Sequence, residues 1–227
     1  GEPSGIGPEV AVKAWEALRD AGRPFFFLGD PAHLPDTAPT ALIEQPAEAA
    51  ERFAAALPVL PHSFPGPLTP GTPNPAHASG VIEVIARAVA LVQAGQAAAL
   101  CTSPIHKQAL QDGAGFAYPG HTEYLSALAG GARAVMMLAS DTLRVVPVTI
   151  HIPLAEVATA LTPGLLEETL RITRAGLIRD FGLKAPRIAV AGLNPHAGET
   201  GKMGREEIAL ITPVLDRLRA EGFDITG

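Results

Sequence analysis

The stretch Arg187-Ile-Ala-Val-Ala-Gly-Leu-Asn-Pro-His-Ala-Gly-Glu199 decides the fold. Residues 187–191 form an apolar run of strand length, and the Gly, Asn and Pro that follow cannot extend it. Over 205–221 the apolar residues return at helical spacing, and Gly222 stands where a helix ends. Strand, loop and helix in succession is the unit of an alternating α/β protein, whose ligands collect in loops beyond the carboxyl ends of the strands. His196 lies in such a loop.

The alternation continues outward. Apolar spacing predicts helices over 8–20, 79–94, 154–161 and 163–181, and strands over 24–28 and 97–101. Pro8 and Pro163 suit a first helical turn, Thr162 an N-cap and Gly95 a stop. Two strand-like runs between 134 and 149 flank Ser140-Asp141 and predict an antiparallel hairpin, so the sheet is expected to be mixed. The Pro-rich segment 57–75 reads as a meandering connection. Thr102-Ser-Pro104 reads as a loop capping a helix that carries Lys107 and Leu110.

Composition narrows the function. Hydrophobic residues make up 47% and charged residues 18% of the 227, which predicts a folded chain rather than a disordered one. Seventeen basic against 23 acidic residues give a net charge of -6, without the basic excess that nucleic acid requires. The longest apolar runs, such as 97–101, fall short of the roughly 20 residues that cross a bilayer, and no secretory segment opens the chain, so no membrane partner is expected. The single Cys101 cannot form an internal disulfide and fits the cytoplasm; it reads as a small buried residue at a strand end.

Three loops carry candidate chemistry. Gly1-Glu-Pro-Ser-Gly-Ile-Gly-Pro-Glu9 is a tight turn into a helix; its glycines do not reproduce the dinucleotide fingerprint, and a strand is expected ahead of it. In Tyr118-Pro-Gly-His-Thr-Glu123, Thr122 or Glu123 reads as a helix cap, whereas His121 is free to hold a ligand oxygen or move a proton. In the third, Gly201-Lys202 is no phosphate loop, because His196 and Met203 occupy positions that need Gly and a hydroxyl. His151, in Thr-Ile-His-Ile-Pro153, ends another expected strand as His196 does. Two neutral imidazoles suit a divalent metal, yet a mononuclear site needs at least three ligands, and either histidine alone reads equally as a packed or exposed side chain. His33, His62 and His77 read as loop residues, and Lys107 as a solvated lysine or an anion contact.

Taken in order, Gly-Glu-Pro-Ser-Gly-Ile-Gly-Pro-Glu, Thr-Ser-Pro-Ile-His-Lys, Pro-Gly-His-Thr-Glu, Ile-His-Ile-Pro-Leu and Gly-Leu-Asn-Pro-His-Ala-Gly-Glu resemble the 4-hydroxythreonine-4-phosphate dehydrogenase family of vitamin B6 biosynthesis. The opening is similar to that of the wider isocitrate and isopropylmalate dehydrogenases. The resemblance implies a three-layer, mixed-sheet α/β fold with two domains around a cleft, over 1–130 and 131–227, the second carrying the hairpin as an interface element. It implies a homodimer with shared active sites and a small phosphorylated hydroxy acid as substrate. NAD, with NADP as the alternative, would take the hydride, and the β-keto acid would lose carbon dioxide. It makes His151 and His196 metal ligands and His121 and Thr122 substrate contacts; zinc is the first choice of metal, magnesium or cobalt the alternatives.

The family's third metal histidine and much of its nucleotide site are expected beyond Gly227, so a C-terminal part is expected to be missing from this sequence. Rival readings are a paralogue oxidising 4-phosphoerythronate or 4-phosphothreonate, a metal-dependent hydrolase using Glu199 as base, and a non-catalytic metal- or ligand-binding fragment.

Overall fold

The structure is a computed structural model describing residues 1–227. The chain is an α/β protein made of two compact units, Gly1–Ala134 and Val135–Gly227.

In unit 1, helix α1 (Gly7–Leu18) starts with Pro8 in its first turn and Glu9 against its positive end, and it buries Val12 and Trp15. The Trp15 indole N–H donates to the Phe53 carbonyl at 2.7 Å, so this large side chain is buried with its polar atom satisfied. Strands β1 (Phe27–Gly29), β2 (Thr40–Leu42) and β3 (Leu57–Pro61) form a parallel sheet in the order β1-β3-β2, with helix α2 (Ala49–Arg52) leading into β3.

The central strand thus occupies the start of the segment expected to meander. It tolerates two prolines because of register. Leu57 donates to Pro39 and His62 to Gly29, which alternates the donors between the neighbours. By that alternation the absent N–H of Pro58 faces the β1 side ahead of Phe27, and that of Pro61 faces the β2 side beyond Leu42, so neither removes a bond from a ladder.

Helix α3 (Ala78–Gln93) packs Ala78, Val81 and Ile85 against Leu110 of α4 (Lys107–Ala114), Tyr124 of α5 (His121–Leu128) and Phe116. Together with the turn before it, α3 makes one stretch, Pro75–Gln93, long and apolar enough by composition to cross a bilayer, which the sequence reading missed. Its inner face lies in this core, and Glu83 and Arg87 interrupt it. Residues 97–101 pair with no strand, contrary to expectation, and Cys101, expected to be buried, is exposed. The cap of α4 is His106, whose Nδ1 accepts from the Ala109 amide at 3.1 Å, rather than the Thr102–Pro104 loop.

Unit 2 begins with the hairpin β4 (Leu138–Ala139) and β5 (Arg144–Val145). Its loop is residues 140–143 rather than Ser140-Asp141 alone, closed by the Ser140 amide donating to Leu143 at 2.8 Å. A short helix α6 (Val157–Ala160) precedes α7 (Pro163–Arg179), whose Thr162 cap accepts from the Leu165 amide at 3.1 Å as the sequence indicates. Strand β6 (Arg187–Ala189) pairs in parallel with β7 (Asp224–Thr226). Between them, the expected helix over 205–221 divides into a wide π-turn, Glu207–Ile211, and α8 (Thr212–Ala220). Pro213 explains the division, since a regular helix would drive its ring into the preceding turn. Leu166 and Leu170 of α7 meet Val214, Leu215 and Leu218 of α8 and Ile225 of β7, each fully buried leucine stabilising by about 1.5–3 kcal/mol. Both strand directions occur, as expected, in three small sheets, two parallel and one antiparallel.

A methyl group at Gly113 would run into the Pro75 carbonyl and Ala78. Gly113→Ala therefore destabilises the protein by about 1–3 kcal/mol through overpacking, despite alanine's better helix propensity. Urea denaturation measures the loss, and a stabilised variant would contradict this close approach.

Candidate functional site

The two histidines of unit 2 sit in strained loops. Across the chain, the non-glycine residues with positive φ are His151 (56°), Ala197 (47°), Glu199 (43°) and Thr200 (58°). One is a candidate histidine and the other three follow the second. Such conformations are unfavourable for side chains bearing a Cβ, and they persist where surroundings impose them, often at functional sites.

The loop after β6 shows how they are imposed. Asn194 accepts the His196 amide on its side-chain oxygen at 2.8 Å and donates to the Met203 carbonyl at 2.8 Å. The Asn194 amide in turn donates to Glu207 at 2.9 Å, and this bond, outweighing burial, holds the Glu207 carboxyl below the usual carboxylate range. Gly198 (φ 71°) lies so near that a Cβ there would meet the Gly204 carbonyl at 2.8 Å and Glu207 at 3.0 Å. The Glu199 carboxylate faces His196 Nδ1 at 3.3 Å. A proton on Nδ1 directed at this carboxylate leaves the lone pair on Nε2, the orientation a metal-binding imidazole needs.

His151 ends no paired strand, since β5 stops at Val145; it lies in an exposed bend. The segments leading to the two histidines nevertheless border one cavity of about 260 Å³, lined by Val148 and Thr149 on one side, Gly192 and Leu193 on the other, and Leu161 and Ile211. A larger hollow of about 490 Å³ is lined by residues of α7 alone and includes neither loop. No three His, Cys, Asp or Glu side chains come together to hold a metal. Imidazole chemistry suits a divalent ion here, but these residues do not complete its coordination.

His121 and Thr122 belong to unit 1, on the first turn of α5, whose cap residue Gly120 offers no side chain to the free amides. Thr122 is exposed, and the His121 Nε2 is buried without a hydrogen-bond partner. Burial pushes the imidazole below its usual 6.5. The Gly-rich turn lies against Thr102–Pro104 of the same unit: Glu2 donates to the Pro104 carbonyl at 2.7 Å, and a Cβ on Gly7 would meet Ser103.

The chain is similar to known proteins along its length. The model of the family described as "Pyridoxal phosphate biosynthetic protein PdxA" matches residues 20–227. The chain belongs to this PdxA family. Curated PdxA relatives named 4-hydroxythreonine-4-phosphate dehydrogenase include those of Roseobacter denitrificans, 60% identical, and Paracoccus denitrificans, 57% identical; each match takes in 100% of this chain and 70% of the relative. The crystal structure of a 4-hydroxythreonine-4-phosphate dehydrogenase from Klebsiella pneumoniae matches with a TM-score of 0.90 and 35% identity, over 100% of this chain and 72% of that one. A terephthalate 1,2-cis-dihydrodiol dehydrogenase from Burkholderia xenovorans LB400 is more distant, with a TM-score of 0.69 and 26% identity, over 100% of this chain and 70% of that one. Membership of a family of dehydrogenases makes this PdxA chain an oxidoreductase.

Sequence reasoning missed Glu207, the carboxylate that secures the loop, and weighed Glu199 only as a base. The Asn194-Pro195 pair was the available signal, because asparagine readily accepts an amide two residues on.

Two outcomes test the site. Because its proton is disfavoured in the folded protein, His121 contributes stability fully above about pH 6.5, lost as pH falls through its folded value. An NMR titration midpoint below 6.5 is expected, and one at or above 6.5 contradicts the burial. Thr200→Gly, which removes a left-handed threonine, should stabilise by about 0.5–1 kcal/mol in thermal unfolding; an unchanged or lowered midpoint would show the strain to be absent.

Proposed function

We propose that this protein oxidises 4-hydroxythreonine 4-phosphate with NAD, NADP being the alternative, and that the product decarboxylates to 3-amino-2-oxopropyl phosphate in pyridoxal 5'-phosphate biosynthesis. The observation that carries the reading is the confinement of strained, non-glycine backbone to the His151 and His196 loops, which border one cleft in a chain of this family.

Oxidation takes a hydride from the carbinol carbon to the nicotinamide and a proton from the hydroxyl. The resulting β-keto acid loses carbon dioxide, and its carbon–carbon bonding pair becomes an enolate that protonates to the ketone. A bound divalent metal, zinc in first place with magnesium or cobalt as alternatives, supplies Lewis acidity that stabilises negative charge on the substrate oxygens. His151 and His196 are its proposed ligands, with a further donor that these residues do not supply. Glu199 orients the His196 ring. His121, neutral at pH 7 and with a free Nε2, and Thr122, with an exposed hydroxyl, are the proposed substrate contacts.

In this reading the two compact units serve as domains of an isocitrate dehydrogenase-like enzyme, divided near 130. The protein works in the cytoplasm as a homodimer with shared active sites, and the hairpin takes part in the interface. Exposed Leu138, Leu143 and Val145 support that last assignment.

The deciding experiment follows reduced nicotinamide absorbance with the purified protein and each of three substrates: 4-hydroxythreonine 4-phosphate, 4-phosphoerythronate and 4-phosphothreonate. Turnover of the first at higher kcat/KM is expected; inactivity on it alone moves the assignment to a paralogue. His196→Ala should lose bound metal and at least about 100-fold in activity together, with metal measured by plasma mass spectrometry. Full metal content in the variant would remove His196 from the ligand set.

A further inference from the structure

Three histidines outside the candidate site meet around one phenylalanine in unit 1. His33 closes the short turn Pro31–His33, His62 and Phe64 follow β3, and His77 closes the turn Pro75–His77 that leads into α3. Ring centroids lie 5.3 Å apart for His33 and Phe64, 5.3 Å for His62 and Phe64, 6.0 Å for Phe64 and His77, and 5.7 Å for His33 and His77. His77 is wholly buried, and neither of its ring nitrogens has a hydrogen-bond partner. Buried polar groups nearly always find partners, so an imidazole held this way points to a purpose beyond packing.

The nearby carboxylates oppose the shift of His33 but are already engaged by backbone amides. Asp30 accepts the Ala32 amide at 3.0 Å and the Phe64 amide at 3.4 Å, and buried Glu2 accepts the Ser4 amide at 3.0 Å. Glu83 of α3 lies 3.7 Å from His62 Nε2, at the rim. Arg87 of α3 donates to the Pro61 carbonyl at 2.7 Å. From α4, which packs on the 75–77 turn through Gly113, Asp112 accepts from Gln108 at 2.8 Å and Lys107 is exposed.

This cluster fastens a segment with few bonds to its surroundings. Between residues 62 and 77 the Pro-rich connection is tied to the rest of unit 1 by the His62 amide on Gly29, the Phe64 amide on Asp30 and Gly71 donating to the Ser4 carbonyl at 2.7 Å; its bonds from Thr72 to Thr69, Asn74 to Pro67, and Ala76 and His77 to Asn74 are local. The Gly71 bond joins it to the Gly-rich turn. The Phe64 ring also covers Gly80 so closely that a Cβ there would lie 2.6 Å from it.

We propose that His33, Phe64 and His77, with His62 at the rim, form an acid-operated clasp that holds the Pro-rich connection and, through Gly71 and Ser4, the Gly-rich turn. Protonating His33 sets a cation 5.7 Å from the wholly buried His77 ring, in surroundings that disfavour it. Burial lowers His33 from its usual 6.5, Asp30 opposes the shift, His77 adds to it and Glu2 opposes it. A depressed histidine contributes stability in full above about 6.5 and loses it as pH falls through the folded value, so acid opens the clasp.

Hydrogen exchange of the intact protein at pH 7.5 and 5.5, with intrinsic rates divided out, tests this. Protection of residues 62–77 and of the Gly-rich turn should fall several-fold on acidification, while α7 in unit 2 keeps its protection. His33→Phe and His77→Phe preserve the rings and remove the protons, and each should flatten the response. Should His77→Phe not fold, His33→Phe, at a half-exposed position, carries the test alone. Protection independent of pH, an undiminished response in His33→Phe, or a His33 NMR midpoint at or above 6.5 would overturn the clasp.

Discussion

The bond from the Asn194 amide to the Glu207 carboxylate governs the loop after β6 in unit 2. Through it, the loop after β6 is tied to the helical segment that supplies the unit's core. The Asn194 side chain then fixes the His196 amide and the Met203 carbonyl, and Gly198 admits the close approach this requires. With both ends held, the residues between have little room for relaxed geometry, so Ala197, Glu199 and Thr200 take left-handed backbone. Glu199 is thereby brought to the imidazole. Local strain, ring orientation and the lowered pKa of Glu207 are one arrangement seen from three sides.

The core beneath keeps that arrangement in place. Leu166 and Leu170 from α7 and Val214, Leu215 and Leu218 from α8 interlock, so the helix bearing Glu207 cannot drift without opening a cavity. At the surface, Arg171 grips Glu221 with two donors at 2.7 and 2.8 Å and also reaches Glu167, while Arg217 pairs with Glu167 at 2.9 Å. These partly exposed pairs add little energy singly. Their geometry aligns α7 with the end of α8.

Much of this is legible in residue order. Thr162-Pro163 announces α7, the Gly-rich turn precedes α1, and five short motifs carry the family resemblance. What escapes a reading of the sequence depends on neighbours distant along the chain. β3 cannot be read as a strand because its prolines are tolerable only in a register that β1 and β2 set together. Residues 97–101 look like a strand by composition, yet a strand is defined by a partner and here there is none. His77 resembles any polar loop residue; it is buried where His33, from another turn, and Phe64, from the segment after β3, come up against it. The same holds for the candidate residues: the motifs point to His121, Thr122, His151 and His196, but not to the strain or the carboxylates around the last of them.

The π-turn Glu207–Ile211 gives the loop's geometry a mechanical counterpart. It contains one residue more than a regular turn, and that surplus both clears the Pro213 ring and sets the angle at which Glu207 leaves the helix. Deleting a residue from it would restore even winding and swing the carboxylate about 100° around the axis, away from Asn194. The helix and the loop therefore cannot both be regular: smooth winding of one would unfasten the other.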